Sequence, residues 1–325
     1  MINSARLMTG ARPTGGLHIG QYFSAFKPFV DSDLQTNSFF ILSDLHMLTT
    51  KFTVTSTKNL KNSVVGLVAE AIGIGVNTNF TSFYLQSQVP WQARIYAIIQ
   101  SLAPIQRLLS QKSFEEMSRH ASNQDGTSLG LLGYPVLESS DVLSIGATHV
   151  TVGESNLGHF DLMRSIVDTL VQDYGVNIRM PQVIVGRRNL IGLDGSNKMS
   201  KSAGNAIFLR DSNEAIKDKI SQMCLIGEDG ANVPVEYLEA FGAEENYCQE
   251  IKHRLKNVSS MPSFLIDEIT ERIISLISPI RERAEELLRE PEYITSLIKQ
   301  GCDIACSLGE VAYSDIVKAI PLPRF

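Results

Sequence analysis

The stretch Arg6-Leu7-Met8-Thr9-Gly10-Ala11-Arg12-Pro13-Thr14-Gly15-Gly16-Leu17-His18-Ile19-Gly20 decides how the first half of this chain folds. Residues 6–9 read as the end of a β-strand. Residues 10–16 are dense in turn formers, and a helix follows over about residues 17–29. Such a loop leaves free backbone N–H groups at the helix start, where the helix dipole favours phosphate. Glycine lets a nucleotide approach the backbone closely. His18 stands at that helix start and can donate a hydrogen bond to a phosphate oxygen. Taken alone, a His-x-Gly element more often caps or packs than binds, so a second element is needed beside it.

The same alternation continues downstream. Residues 38–42 and 82–85 read as strands, with Asp44-Leu45-His46 at the end of the first. Residues 57–72 read as helical, and Pro90 opens another helix. Residues 149–152 and 182–185 are further strands, flanking a helix over 157–172. This pattern predicts an α/β fold, a Rossmann-type parallel sheet covered by helices. Ligands in such sheets bind beyond the strand C-termini. His18, Asp44, His46 and Gly153-Glu154 fall there.

From about Asp211 β-branched runs give way to helical spacing: Leu265, Ile269, Ile273, Leu276, Ile277 and Ile280, then Leu287, Leu288 and, past Pro291, Ile294, Leu297 and Ile298. The expected organisation is a catalytic α/β domain over 1–210 and a mostly helical domain over 211–325, whose last helix can pack back on the first. Residues 321–325, with two prolines, cannot continue a helix.

The formal net charge of the 325 residues is −6, so any polyanion must be met by local basic patches. Lys252, His253, Arg254 and Lys256 form one such cluster, and Arg281, Arg283 and Arg289 another. The four cysteines, Cys224, Cys248, Cys302 and Cys306, form no CxxC pair, which speaks against a zinc site or a disulfide framework. Cys302 and Cys306 sit one helical turn apart and read as thiols packed in a helix. No apolar run reaches the ~20 residues of a membrane helix, and the first residues have no secretory pattern. A cytoplasmic protein is expected, with no membrane partner and no structural metal.

The second element is the loop Gly192-Leu193-Asp194-Gly195-Ser196-Asn197-Lys198-Met199-Ser200-Lys201-Ser202-Ala203-Gly204-Asn205. It is polar and punctuated by glycine, suited to closing over a ligand. Lys198 and Lys201 can clamp a leaving pyrophosphate and stabilise charge that grows in the transition state. Between the two elements, Tyr134 and Asp141 lie seven apart, two helical turns, and so share one helix face.

Residues 9–22 together with Gly195-Ser196-Asn197-Lys198-Met199-Ser200-Lys201-Ser202 resemble the two signatures of class I aminoacyl-tRNA synthetases. Their form, with Gly133-Tyr134-Pro135-Val136, Asp141 and Val152-Gly153-Glu154, is similar to that of the tryptophanyl-tRNA synthetases, and the likeness runs nearly the whole chain. The resemblance implies ATP with Mg²⁺, L-tryptophan and tRNA(Trp) as partners, a homodimer, and a helical domain that helps bind the anticodon. It implies activation of tryptophan to its adenylate and transfer to tRNA, with His18, Lys198 and Lys201 as catalytic residues. It places ATP against Arg12, Thr14, Gly15, His18, Gly20, Gln21, Gly153, Ser155, Lys198, Met199, Ser200, Lys201 and Ser202. It places tryptophan against Met8, Arg12, His46, Tyr134, Glu138, Asp141, Val150, Val152 and Asn156, with Asp141 accepting the indole N–H.

Four positions depart from the family's pattern. Ser155 and Asn156 replace its aspartate and glutamine, Thr151 replaces its proline, and Glu138 stands where many relatives carry methionine or glutamine. Two other functions stay open on the sequence: a non-charging paralogue that binds tryptophan, ATP or RNA in a regulatory role, and a tyrosine enzyme of the same subclass.

Overall fold

A computed structural model describes residues 5–34, 37–49, 58–120, 127–186, 190–201 and 203–320. Thr57, Ser202 and the tail 321–325 lie outside the described residues. Five strands, β1 (Leu7–Ala11), β2 (Ser38–Leu42), β3 (Thr81–Leu85), β4 (His149–Val152) and β5 (Gln182–Val185), form one parallel sheet in the order β3-β2-β1-β4-β5. In register, Met8 pairs with Phe39 on one side and with Val150 on the other.

Alternation along the strands divides the core. Leu7, Ala11, Phe40, Leu42 and Phe83 face one hydrophobic cluster, together with Phe26, Phe29 and Val68 from the connections of β1 to β2 and of β2 to β3. Met8, Phe39, Ile41, Tyr84, Val150 and Val152 face the other, with Val142 and Leu143 from the helix Leu129–Ile145 and Phe160 and Met163 from Leu157–Gln172. The two-residue period of a strand makes this division. Helices thus leave β1 and β4 toward opposite faces, so the loops after these neighbouring strands diverge. Such a topological switch point opens a crevice at the strand C-termini.

The first helix begins later than its sequence suggests. His18 is extended (φ −115°, ψ 160°) and forms an antiparallel bridge with Phe208, so regular helix starts at Ile19. The Leu17 carbonyl accepts from Leu209 N at 2.8 Å, and Ile19 N donates to the Ile207 carbonyl at 3.0 Å. This pairing with a segment nearly 190 residues away holds the helix start. A π-helical turn, Tyr22–Phe26, follows. The first strand is also longer than expected, running to Ala11.

After residue 210 the chain is helical: Asn213–Ser221, Val233–Ala240, Glu245–Arg254, Ser263–Leu288 and Pro291–Ala319. The Ser263–Leu288 helix lies against Leu60–Ile74, where a Cβ at Gly73 would come within 2.6 Å of the Ile280 carbonyl oxygen. The last helix runs along the edge strand β3. A Cβ at Gly301 would overlap the Phe83 backbone, and Leu85 N donates to Cys302 Sγ at 3.3 Å. Only glycine allows that approach.

Candidate active site

The His18 side of the crevice is built from three segments. The loop after β1 turns at Gly15 (φ +112°) and delivers His18 as the N-cap of the first helix. His18 Nδ1 accepts from Gln21 N, and Gln21 Oε1 accepts from His18 N, each at 3.3 Å, a reciprocal capping box. In a neutral ring the proton then lies on Nε2, which is left as a donor. Burial, followed by the charges of Lys201 and Lys198, lowers the His18 pKa to about 3, so its neutral form prevails at neutral pH. The preceding Leu17 N–H donates to buried Glu70 at 2.5 Å. Burial raises the Glu70 pKa, against the opposing pull of the Leu17 hydrogen bond and of Arg210 and Lys201.

The lysine loop closes this side. Lys201 Nζ donates to the Gly15 carbonyl at 3.1 Å, and Lys198 Nζ to Ser155 Oγ at 3.2 Å. Burial, reinforced by Arg12, lowers the Lys201 pKa to about 8 despite the nearby Glu70. Asn205 braces the loop from within. Its Nδ2 donates to Asp194 Oδ1, Ser196 Oγ and the Lys198 carbonyl, and its Oδ1 accepts from Ser200 N at 2.7 Å. Met199 is buried in the core and lies close enough to Gly20 that a Cβ there would be 3.3 Å from the Met199 Cβ. Arg12 and Thr14 are exposed on the first loop. Gly153 leads into the turn Glu154–Asn156, which carries Ser155.

The other side is buried and densely hydrogen-bonded. Leu129–Ile145 is capped by Ser128 at its start and by Gly146 (φ 62°) at its end. Tyr134, Glu138 and Asp141 project from it at helical spacing. Asp141 is 3% exposed. It accepts from Gln86 Nε2 at 2.8 and 2.9 Å and pairs with His46 Nε2 at 3.1 Å. Burial raises its pKa, against the opposing hydrogen bonds of His46 and Gln86. Gln86 Oε1 in turn accepts from Leu45 N and His46 N, so one amide fixes both the carboxylate and the backbone after β2. Tyr134 OH and Ser113 Oγ lie 2.9 and 2.8 Å from His159 Nε2, and His159 Nδ1 is 2.6 Å from Glu138 Oε2. Burial raises the Glu138 pKa, but the His159 charge and hydrogen bond outweigh it and leave the carboxyl below its ordinary range. Met8, Val150 and Val152 lie on the sheet face turned toward this helix. A cleft beside Tyr134 is lined by Leu45, Leu48, Tyr96, Gly133 and Leu137.

Ser155 and Asn156 join the two sides. Ser155 Oγ takes the Lys198 ammonium and donates to Asn156 Oδ1 at 3.3 Å, while Asn156 Nδ2 reaches Glu138 Oε1 at 3.5 Å, the outer limit of a hydrogen bond. Among the described residues, Ser155 and Asn156 thus connect the His18–lysine-loop side to the Tyr134–Asp141 side, while Met199 is turned into the core and the Gln21 side chain is engaged with the His18 backbone. Glu70, Gln86, His159 and Asn205 were not anticipated. Gln86 had a positional signal, directly after a strand, and His159 one at a helix start. Asn205 had one as the last residue of the quoted lysine loop, and Glu70 had none.

Among the described residues no group of three His, Cys, Asp or Glu side chains could hold a metal ion. A cation that rides on substrate phosphates and water needs no such cage, and Mg²⁺ is commonly bound that way.

Residues 3–274 match the family model of class I tRNA synthetases for tryptophan and tyrosine. The chain is 32% identical to a tryptophan–tRNA ligase from Chlamydia caviae, over 100% of this chain and 98% of that one. It is also 32% identical to the tryptophan–tRNA ligase of Treponema pallidum, over 91% of each. A tryptophanyl-tRNA synthetase from Campylobacter jejuni, solved with ADP and tryptophan, superposes with a TM-score of 0.78 at 25% identity, covering 98% of this chain and all of that one.

Proposed function

We propose that this chain, which belongs to the class I tRNA synthetases for tryptophan and tyrosine, activates L-tryptophan with ATP and transfers it to tRNA(Trp). One juxtaposition carries this function. A cationic phosphate cradle and a buried carboxylate suited to an indole N–H face one crevice and are linked through Ser155 and Asn156.

The chemistry needs little acid–base help. An amino-acid carboxylate is ionised at neutral pH and attacks the α-phosphorus directly, so no general base is required. The P–O bond to pyrophosphate breaks as the new one forms. Catalysis is then positioning plus stabilisation of growing phosphate charge. His18 offers Nε2–H to a phosphate oxygen as a neutral donor. Lys198 and Lys201 exchange Ser155 and Gly15 for the β- and γ-phosphates and follow the leaving group. Arg12, Thr14, Gly15, Gly20, Gln21, Gly153, Ser155 and Ser200 border the nucleotide. Mg²⁺, carried on the ATP phosphates with no side-chain cage among the described residues, would neutralise part of their charge. Met8, Val150 and Val152 wall the indole, Asp141 accepts its N–H, and His46 orients that carboxylate. A buried acceptor matched to one donor rejects analogues that leave it unpaired. The adenylate then passes its aminoacyl group to the terminal ribose of tRNA.

Residues 1–210 form the catalytic part and 211–325 the tRNA-binding part. Lys252, His253, Arg254 and Lys256 are exposed and suit phosphates. Arg281 is instead tied to the Asp211 carbonyl and to Asn213 Oδ1. Homodimerisation is supported by apolar exposure before and at the start of the Tyr134 helix, where Ile105, Leu109 and Leu129 are 53%, 52% and 76% exposed. No described helix is long and apolar enough to cross a membrane, which is compatible with a cytoplasmic site of action.

The test is ATP–pyrophosphate exchange against a panel of amino acids, followed by charging of tRNA(Trp). Exchange dependent on L-tryptophan is expected. Exchange with tyrosine instead overturns the substrate, and binding of tryptophan and ATP without exchange overturns the enzyme.

A further inference from the structure

We propose that Glu70 is a positioning residue for the reaction: its buried carboxylate clasps the pairing that holds Leu17, His18 and Ile19, and so aims the His18 ring at the phosphates. The inference rests on adenylate formation at this site and goes beyond it by giving a role to a carboxylate sealed from solvent.

The turn that carries His18 has little stiffness of its own. Gly15 (φ +112°) and Gly16 precede Leu17, and glycine restrains its backbone least. His18 is therefore held from outside, by the pairing of Leu17 and Ile19 with Leu209 and Ile207. Glu70 reaches both strands of that pairing. On one it accepts from Leu17 N at 2.5 Å, and on the other its Oε1 lies 3.8 Å from Nη1 of Arg210, the residue after Leu209. A Cβ at Gly16 would stand 3.2 Å from Glu70 Oε1, so the carboxylate also packs against the turn itself.

Packing alone gives no reason for a carboxylate there. Glu70 is 1% exposed, on a helix whose neighbouring positions Val64, Leu67, Val68 and Ala71 belong to the apolar core. A buried charge is costly unless it is paired and hydrogen-bonded, and the Arg210 side chain that faces it is 46% open. Its hydrogen bond goes to the amide next to the His18 N-cap, two residues after the carbonyl that receives Lys201. An apolar residue at position 70 would leave that buried amide without its acceptor and let the glycine turn relax. A displacement of about 1 Å at a reacting group can cost about 10²-fold in rate.

The experiment measures kcat and KM in tryptophan-dependent ATP–pyrophosphate exchange by the full-length protein, with Glu70→Leu, Glu70→Gln and Glu70→Asp made singly and in a His18→Ala background. Glu70→Leu removes the acceptor and should lower kcat about 10- to 100-fold, with KM for tryptophan within about twofold of wild type. Glu70→Gln keeps an acceptor for Leu17 N and should hold kcat within about fivefold of wild type. Glu70→Asp keeps the charge but falls one methylene short, and should lose about tenfold. In the His18→Ala background none of the three should lower kcat by more than about threefold further, because a residue that acts through His18 has nothing left to aim. A merely structural Glu70 would give the same loss with and without His18, and that result overturns the proposal. So does Glu70→Gln as impaired as Glu70→Leu, or a loss confined to KM. If Glu70→Leu does not fold, Glu70→Asp decides by the same cycle. A wild type without tryptophan-dependent exchange overturns the function itself. An active wild type with variants that match it overturns only the role of Glu70.

Discussion

On the His18 side of the crevice, proposed to bind phosphate, Lys198 and Lys201 reach Ser155 and the Gly15 carbonyl from a partly exposed loop. On the amino-acid side, Asp141, His46 and Gln86 are each less than 10% exposed and satisfy one another and two backbone N–H groups. The two sides place their free energy differently. Lys198 is exposed and Lys201 half-buried, so their single contacts contribute little to stability and leave the cations ready to exchange a protein oxygen for phosphate. A buried network rigidifies its members and is costly to leave half-satisfied. The clamp should therefore be sensitive in catalysis and insensitive in folding, and the amino-acid pocket should depend on its fold.

The largest expected effect falls on the clamp. Lys201→Ala and Lys198→Ala should each lower kcat for pyrophosphate exchange ~10²–10³-fold, the usual loss for one transition-state donor, with little change in melting temperature. A large loss of stability in either variant, seen by thermal melting, would break the contrast. The reverse is expected of Gln86→Leu. It removes the partner of Asp141, Leu45 N and His46 N together and should cost about 3 kcal/mol of stability by denaturant titration, with a raised KM for tryptophan. Stability equal to wild type would mean that the buried network is not the brace it resembles.

The smallest effect sharpens the comparison through pH. Lys201 loses its proton as pH rises through about 8, below the ordinary lysine range because of burial. The charged form attracts the triphosphate, so kcat/KM for ATP, which reports the free enzyme, should fall about tenfold per pH unit above that point. Lys201→Arg keeps its charge and should stay flat from pH 8 to about pH 10. A wild-type profile equally flat would place the titration elsewhere.

The two sides also differ in how far the chain itself announces them. His18 and the Lys198–Lys201 loop were legible because their chemistry needs particular residues next to glycines, within a few positions of one another. The parallel sheet was legible for a similar reason, since β2, β4 and β5 and the helices between them follow local periodicity. The start of the first helix was not, because Leu17 and His18 pair with Ile207 to Leu209 before helix can form. Gln86 and His159 escaped for the same reason, since each acts through partners 21 to 55 residues away, whereas Asn205 acts within its own loop, through Asp194, Ser196, Lys198 and Ser200.

By itself the sequence determined the alternation of strands and helices, the glycine-rich His18 and lysine loops and the helix face shared by Tyr134 and Asp141. These follow from backbone geometry and side-chain period, which act over a few residues. The tertiary structure alone decided that Asp141 is buried against Gln86 and His46, that Glu138 is anchored by His159, and that the last helix lies on β3. Those outcomes depend on which distant groups are removed from water together, and burial is a property of the folded chain.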